Sequence, residues 1–197
     1  MISASRRRVS RFFLNPRFAR LWAAVAASNL GDGIWLIAAP LYAATLTRDP
    51  LLISGIAIAQ RLPWLLFGLI GGALSDRLDR RRTMVGITLI RASLVGILGW
   101  AVMAGWANLP LLYVVFFVVA TGETFFDTSA SAFIPAIVDT NDLARANGKL
   151  GSTITVTNQF AGPPVGGFLF SVAMSLPFVA GSAGLFIAAA LLRTIPG

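Results

Sequence analysis

Six apolar runs alternate with short polar joints along this chain. They cover about Leu21–Leu46, Leu51–Leu74, Thr83–Ala104, Leu111–Ile137, Leu150–Val172 and Phe178–Leu192. A helix rises ~1.5 Å per residue and the hydrocarbon core of a bilayer is ~30 Å thick, so roughly 20 apolar residues cross it. The last run is the shortest fit. The joints are Thr47–Arg48–Asp49–Pro50, the arginine-rich stretch from Gly72 to Arg82, Gly105–Pro110, Asp139–Lys149 and Met174–Pro177. The pattern predicts an all-α membrane protein with six transmembrane helices. Residues 1–20 form an N-terminal tail, and residues 21–197 form the bundle.

Charge gives the bundle an orientation. Thirteen of the 16 basic residues fall in the tail, in the second joint, in the fourth joint and just after the last run, where Arg193 sits. Only Arg48 falls in a joint of the other set. Short loops rich in arginine mark the cytosolic side, so both termini are expected in the cytosol and the chain in the plasma membrane. A positively charged N-terminus also opens a signal peptide. The run that follows it here is too long for a signal core and contains Asn29 and Asp32. Phe12 and Phe13 are misplaced for a twin-arginine signal.

Composition narrows the function. Hydrophobic residues make up 56% of the 197 and charged residues 12%, about half the ~25% of an average soluble domain. The mean hydropathy is +0.78 and the pI about 11.6. That pI alone would suggest nucleic acid, but the arginines lie between apolar runs rather than on one soluble face. No nucleic-acid partner is expected. Cysteine and histidine are absent, which removes disulfides, Cys or His metal sites and His-based acid–base chemistry. Neither an enzyme activity, a cofactor nor a metal is expected.

Five charges lie inside apolar runs: Asp32, Arg61, Arg91, Glu123 and Asp127. Each costs roughly 2.5–3.5 kcal/mol at a helix centre on insertion scales, so each should face a partner or a wet cavity. Glu123 and Asp127 share one helix face, as do Ser28, Asp32 and Trp35. Three acids against two arginines leave one carboxylate without a formal partner. The functional expectation is that one of the acids takes up a proton as a small molecule crosses. The alternative is that all five are fixed ion pairs holding the bundle. Trp35, Phe125 and Phe126 are candidates for an aromatic cavity wall.

The halves of the chain echo each other. Gly31-Asp32 in run 1 matches Gly122-Glu123 in run 4. Gln60-x-x-Pro63 followed by Gly71-Gly72 in run 2 matches Gln159-x-x-x-Pro163 followed by Gly166-Gly167 in run 5. Runs 1–3 and 4–6 therefore read as two three-helix repeats of inverted topology.

Three motifs carry a family resemblance. The stretch Gly72-x-Leu-x-Asp76-Arg77-x-x-Arg80-Arg81 resembles the cytoplasmic loop 2–3 motif of the major facilitator superfamily, with Asp79 where that motif has a turn glycine. The resemblance implies a cytosolic charge relay with Asp76 as its acid, Arg77, Arg80 and Arg81 as its bases, and Gly72 at a helix crossing. Gly162-Pro163-x-x-Gly166-Gly167 resembles the helix 5 motif of antiporters in that superfamily, with Asn158 where the longer motif has a further glycine. It implies export rather than import. Phe18-x-x-Leu21-Trp22, Gly31-Asp32, Leu62-Pro63-Trp64, and Pro135 followed by Leu143–Asn147 resemble the bacterial branch of macrolide and siderophore exporters. Drug–proton antiporters often carry an arginine where this chain has Val118; Arg91 and Arg61 are candidates to replace it.

The resemblance implies half of a major-facilitator fold, its N-terminal six helices, exporting small amphipathic compounds in exchange for protons. The expected partners are a small-molecule substrate, protons, the lipid bilayer, and either a C-terminal half or a second copy of the chain. An uptake symporter or facilitator on the same scaffold, and a non-transporting membrane scaffold, are the alternatives.

Overall fold

The computed structural model describes residues 16–75 and 79–195, apart from the side chains of 69–75. The described residues are helical almost throughout. Helix α1 spans Pro16–Leu46, α2 Pro50–Ser75, α3 Arg80–Met103 and α4 Leu109–Ile137. A single 3₁₀ turn, Thr140–Asp142, leads into α5, Leu143–Ile154. A π-helical segment, Thr155–Ala161, then joins α5 to α6, Gly162–Val172, and α7 spans Leu176–Arg193. Five helical stretches are long and apolar enough to cross a membrane: Pro16–Leu46, Pro50–Gly68, Arg80–Met103, Leu109–Ile137 and Leu176–Arg193. The remaining expected span, Leu150–Val172, is carried by the unbroken run of α5, π segment and α6.

Proline and glycine place the ends. Pro50, Pro110 and Pro177 all open helices, although the polar pattern assigns them to turns. A proline in the first helical turn gives up an N–H that has no partner there in any case. Asn108 caps α4, its side chain accepting from the Leu111 N–H at 3.0 Å. Helix α3 ends in a Schellman turn. Gly105 sits at φ 74°, its N–H donates to Val102, and the Trp106 N–H donates to Ala101. Only glycine enters that conformation without strain.

Asp79 occupies the place of the expected turn glycine and has an ordinary extended backbone (φ −62°, ψ 105°). Its Oδ1 accepts from the Arg82 N–H at 3.0 Å, so it is the N-cap of α3. The loop therefore needs no glycine here. Asp79→Ala is expected to lower stability by about 1 kcal/mol, read as a small drop in the unfolding midpoint of the purified protein in detergent.

The packing supports the internal repeat. Helix α1 packs against α7 and against the π segment with α6; α4 packs against α3 and against α2; α3 and α7 pack against each other. Exchanging helices 1–3 for spans 4–6 maps this set of neighbours onto itself. Because each unit has an odd number of crossings, the two run in opposite senses across the membrane.

Two apolar cores result. One gathers Trp35, Ala39, Tyr42, Ala92, Val95, Leu98, Phe116, Val119 and Phe178. The other gathers Phe18, Leu21, Val25, Met84, Phe126, Ile134, Ala188 and Leu192 at the arginine-rich end. Asp32, Arg91 and Glu123 fall in sequence between the members of the two cores on α1, α3 and α4, and form a charged layer between them.

The arginine-rich end is fastened by its own cations. Arg80 Nη1 donates to Ala132 O at 2.7 Å, and Arg81 Nε donates to Leu192 O at 3.3 Å. Arg81 Nη2 reaches Arg193 O, and Arg20 Nη1 reaches Thr194 O. Cations at the carbonyl end of α7 suit its dipole. Trp22 donates to Thr153 Oγ1 at 2.7 Å, and Lys149 Nζ lies 4.0 Å from the Trp22 ring centroid. The Phe-x-x-Leu-Trp pattern thus docks α5 on α1, with Phe18 and Leu21 in the core.

Candidate functional site

Helix α1 brings Asp32 to the middle of the bundle, and α3 brings Arg91 to it. Arg91 Nη2 lies 2.9 Å from both carboxylate oxygens of Asp32. Trp35 Nε1 donates to Asp32 Oδ1 at 3.2 Å, and Ser28 Oγ approaches Oδ2 at 3.5 Å. The 28, 32, 35 spacing on one helix face makes this possible. From α4, Glu123 Oε2 stands 3.8 Å from the same Arg91 nitrogen. One cation therefore bridges the two repeats, held tightly by α1 and more loosely by α4.

Glycine makes room for that cation. A methyl group on Gly122 would lie 2.9 Å from Arg91 Cγ and 3.0 Å from Cδ. The arginine stem therefore crosses α4 over a position without a side chain. The guanidinium is 1% exposed, and its Nε and Nη1 have no hydrogen-bond partner among the described residues.

Beside this cluster lies a cavity of about 260 Å³ between α1, α2, α4 and the π segment. Asp32, Glu123 and Asp127 line it, as do Arg61, Gln60, Thr124, Asn158, Trp35 and Trp64. Four of the five in-span charges expected to matter thus face one space, and the fifth, Arg91, holds Asp32 beneath its wall. Arg61 and Asp127 are exposed, and neither forms an ion pair among the described residues. Of the aromatic candidates, Trp35 lines the cavity. Phe126 is buried in the core at the arginine-rich end, and Phe125 packs on Phe67 at 6.3 Å. Trp64, which the sequence offers only as part of a motif, supplies the other aromatic wall.

The helix 5 motif packs against α1. A methyl on Gly162 would lie 2.6 Å from Gly33 backbone, and one on Gly166 would lie 2.1 Å from Ile34 O; Gly167 has nothing within 4 Å. Pro163 and the following Pro164 lack N–H groups, so α-type bonding fails just before them. The Gly162 N–H reaches instead to Thr157 O, five residues back, and the helix widens into a π turn rather than breaking. Asn158 sits in that turn, its backbone against Gly33 and its side chain in the wall of the cavity.

The loop motif is described only in part. Arg80 and Arg81 tie α3 to α4 and α7 as above. Gly72 falls within α2, while Asp76 and Arg77 lie outside the described residues. Val118 lies on the outer groove between α2 and α4, so an arginine there would not meet Asp32. Arg91 reaches the acids from α3 instead.

A multi-pass helical bundle built as two three-helix repeats around a polar cavity is half of a major-facilitator fold. The chain belongs to the transmembrane secretion effector family of that superfamily, whose model matches residues 12–195. It is 35% identical over 136 residues to an uncharacterized MFS-type transporter of Mycobacterium bovis, covering 67% of this chain and 30% of that protein. It is 28% identical over 158 residues to macrolide efflux protein A of Streptococcus pyogenes, covering 79% of this chain and 38% of that one. A third relative, an uncharacterized MFS-type transporter of Bacillus subtilis, is 26% identical over 160 residues, covering 81% and 36%. The chain thus spans about a third of the length of the curated relatives it matches. No solved structure matches.

Proposed function

We propose that this bundle forms the N-terminal half of a proton-coupled exporter of small amphipathic compounds, embedded in the plasma membrane with both its termini in the cytosol. The observation that carries this reading is one buried arginine shared between acids of the two repeats, beside a cavity that reaches the same acids. A buried carboxylate without its cation is costly. If Asp32 takes a proton, it releases Arg91, and Glu123 is the nearest alternative partner. Proton uptake on α1 is then felt on α4, and the two repeats shift relative to each other. That is the coupling an alternating-access cycle requires. Asp127, further along the α4 face, is the third proton candidate, and Arg61 lines the same cavity from α2. The relative named for macrolide efflux supports export, and the tryptophans lining the cavity suit an amphipathic substrate. Residues 1–20 lead into the bundle from the cytosol, the last five of them already in α1, and residues 21–197 form its body. The partner across the substrate path is a second six-helix half or a second copy.

The test is uptake of a radiolabelled macrolide into inverted membrane vesicles containing the protein. Uptake driven by an imposed proton gradient and abolished by a protonophore is expected. Asp32→Asn is expected to reduce it to the level of vesicles without the protein, while the variant remains in the membrane in normal amount. Gradient-driven uptake that survives Asp32→Asn removes Asp32 from the mechanism. Unchanged behaviour with Asp32, Glu123 and Asp127 all neutralised returns the chain to the role of scaffold.

A further inference from the structure

A larger recess lies at the arginine-rich end, away from the charged layer. It measures about 870 Å³ and is bounded by the first turns of α3, the last turns of α4 and the end of α7. Its rim carries Arg80, Arg81, Arg82 and Arg193, with Asp79 beside them. Its floor is apolar, formed by Val85, Leu89 and Phe133. Gly86 faces it with nothing within 4 Å of where a side chain would start.

The rim keeps its positive charge. Arg81 bonds to carbonyl oxygens, which are neutral. Arg82 is exposed and, among the described residues, pairs with Asp79 alone, at 3.7 Å with both side chains more than half in solvent. Such a pair is weak. Arg193 is exposed. Among the described residues, four arginines and one carboxylate thus line a recess whose inner wall is hydrocarbon. Arg81 and Arg82 sit in the first turn of α3, a helix long and apolar enough to cross a membrane, and Leu89 lies about two turns further along it.

We propose that this recess holds the headgroup and upper acyl chains of an anionic phospholipid. The arginines meet the phosphodiester, and a chain lies over Gly86 along Val85, Leu89 and Phe133. Basic pockets between transmembrane helices favour anionic headgroups, and guanidinium groups suit phosphate oxygens in number and direction. A soluble anion would satisfy the rim and leave the apolar floor in water. A zwitterionic lipid would cover the floor and place a second cation among the arginines. Only a lipid with net negative charge matches both parts. Because Arg81 is tied to the end of α7, a lipid seated here also clamps α3 to α7.

The experiment uses the intact chain purified in a mild detergent and examined by native mass spectrometry and by its unfolding midpoint. Dioleoyl phosphatidylglycerol is expected to remain bound and to raise the midpoint. Dioleoyl phosphatidylcholine and glycerol 3-phosphate at equal concentration are expected to do neither. The double variant Arg82→Gln/Arg193→Gln removes two exposed charges, and Gly86→Phe fills the recess. Each is expected to lose about tenfold in retained phosphatidylglycerol, which is ~1.4 kcal/mol. Equal retention by both variants overturns the proposal. Equal protection by phosphatidylcholine also overturns it, and equal protection by glycerol 3-phosphate makes the recess an anion site instead. If Gly86→Phe does not fold, the arginine double variant decides by itself, since its side chains lie in solvent.

Discussion

Arg91→Met is expected to be the most damaging single change in the bundle. It removes the only partner within ion-pair distance of the buried Asp32 among the described residues, and it leaves Trp35 and Ser28 to hold a carboxylate alone. Breaking a buried pair from one side costs about 3–5 kcal/mol, because the remaining charge is uncompensated. Methionine is unbranched and fits the channel over Gly122, so the loss reports charge rather than volume. The double variant Arg91→Met/Asp32→Asn removes the stranded charge and is expected to recover most of that stability. Unfolding in mixed detergent micelles, run as a double-mutant cycle, measures the difference. If the double variant is no more stable than Arg91→Met, the ion pair is not what the arginine contributes. Transport is expected to be lost in both, which separates the structural role of the pair from its coupling role.

The other large effect belongs to a pair of neighbouring glycines. Gly166→Ala places a methyl 2.1 Å from the Ile34 carbonyl oxygen, and backbone at that distance must move. Helices α1 and α6 are then forced apart at the crossing that also carries Gly33 and Gly162. Overpacking of this kind costs about 1–3 kcal/mol. Gly167→Ala, one residue on, meets nothing within 4 Å, and it is expected to change stability by less than about 0.5 kcal/mol. The unfolding midpoints of the two variants in the same detergent test this directly. Similar losses at both positions would mean that helix flexibility, rather than the crossing, is what the glycines provide. Within one short motif, then, Gly166 serves packing and Gly167 does not.

The contrast marks what a linear reading reaches. The six crossings are legible because length and hydropathy are local properties, and the arginines place the loops by sign alone. Helix ends are less legible. Pro50, Pro110 and Pro177 read as turn residues, yet each opens a helix, because the first turn has no use for their missing N–H groups. Asp79 reads as a departure from a turn motif, but it caps α3. The in-span charges stand out by their cost in lipid. Which acid Arg91 takes is not legible, since Asp32 lies 59 residues away and the choice depends on where α1 and α3 cross. Gly122 and Val118 both sit on α4, and only the crossing reveals that Gly122 makes space for the arginine while Val118 faces outward. Phe126 and Trp64 exchange roles for the same reason: proximity to an acid along the chain does not fix the direction of a ring. The π turn has a visible cause in Pro163–Pro164, but proline predicts equally a kink, a break or a widened turn.

Helix α2 rests mainly on α4 and only slightly on α1, its neighbour in the chain. A ribosome adds about 5–20 residues per second. Roughly 60 residues separate the end of α2 from the end of α4, so α2 waits about 3–12 s in the membrane before its seat exists. Helix α1 waits longer still for α7. Biogenesis of this protein is therefore a sequence of lone insertions followed by late docking, and whatever holds α2 meanwhile, lipid or insertase, acts as its temporary neighbour.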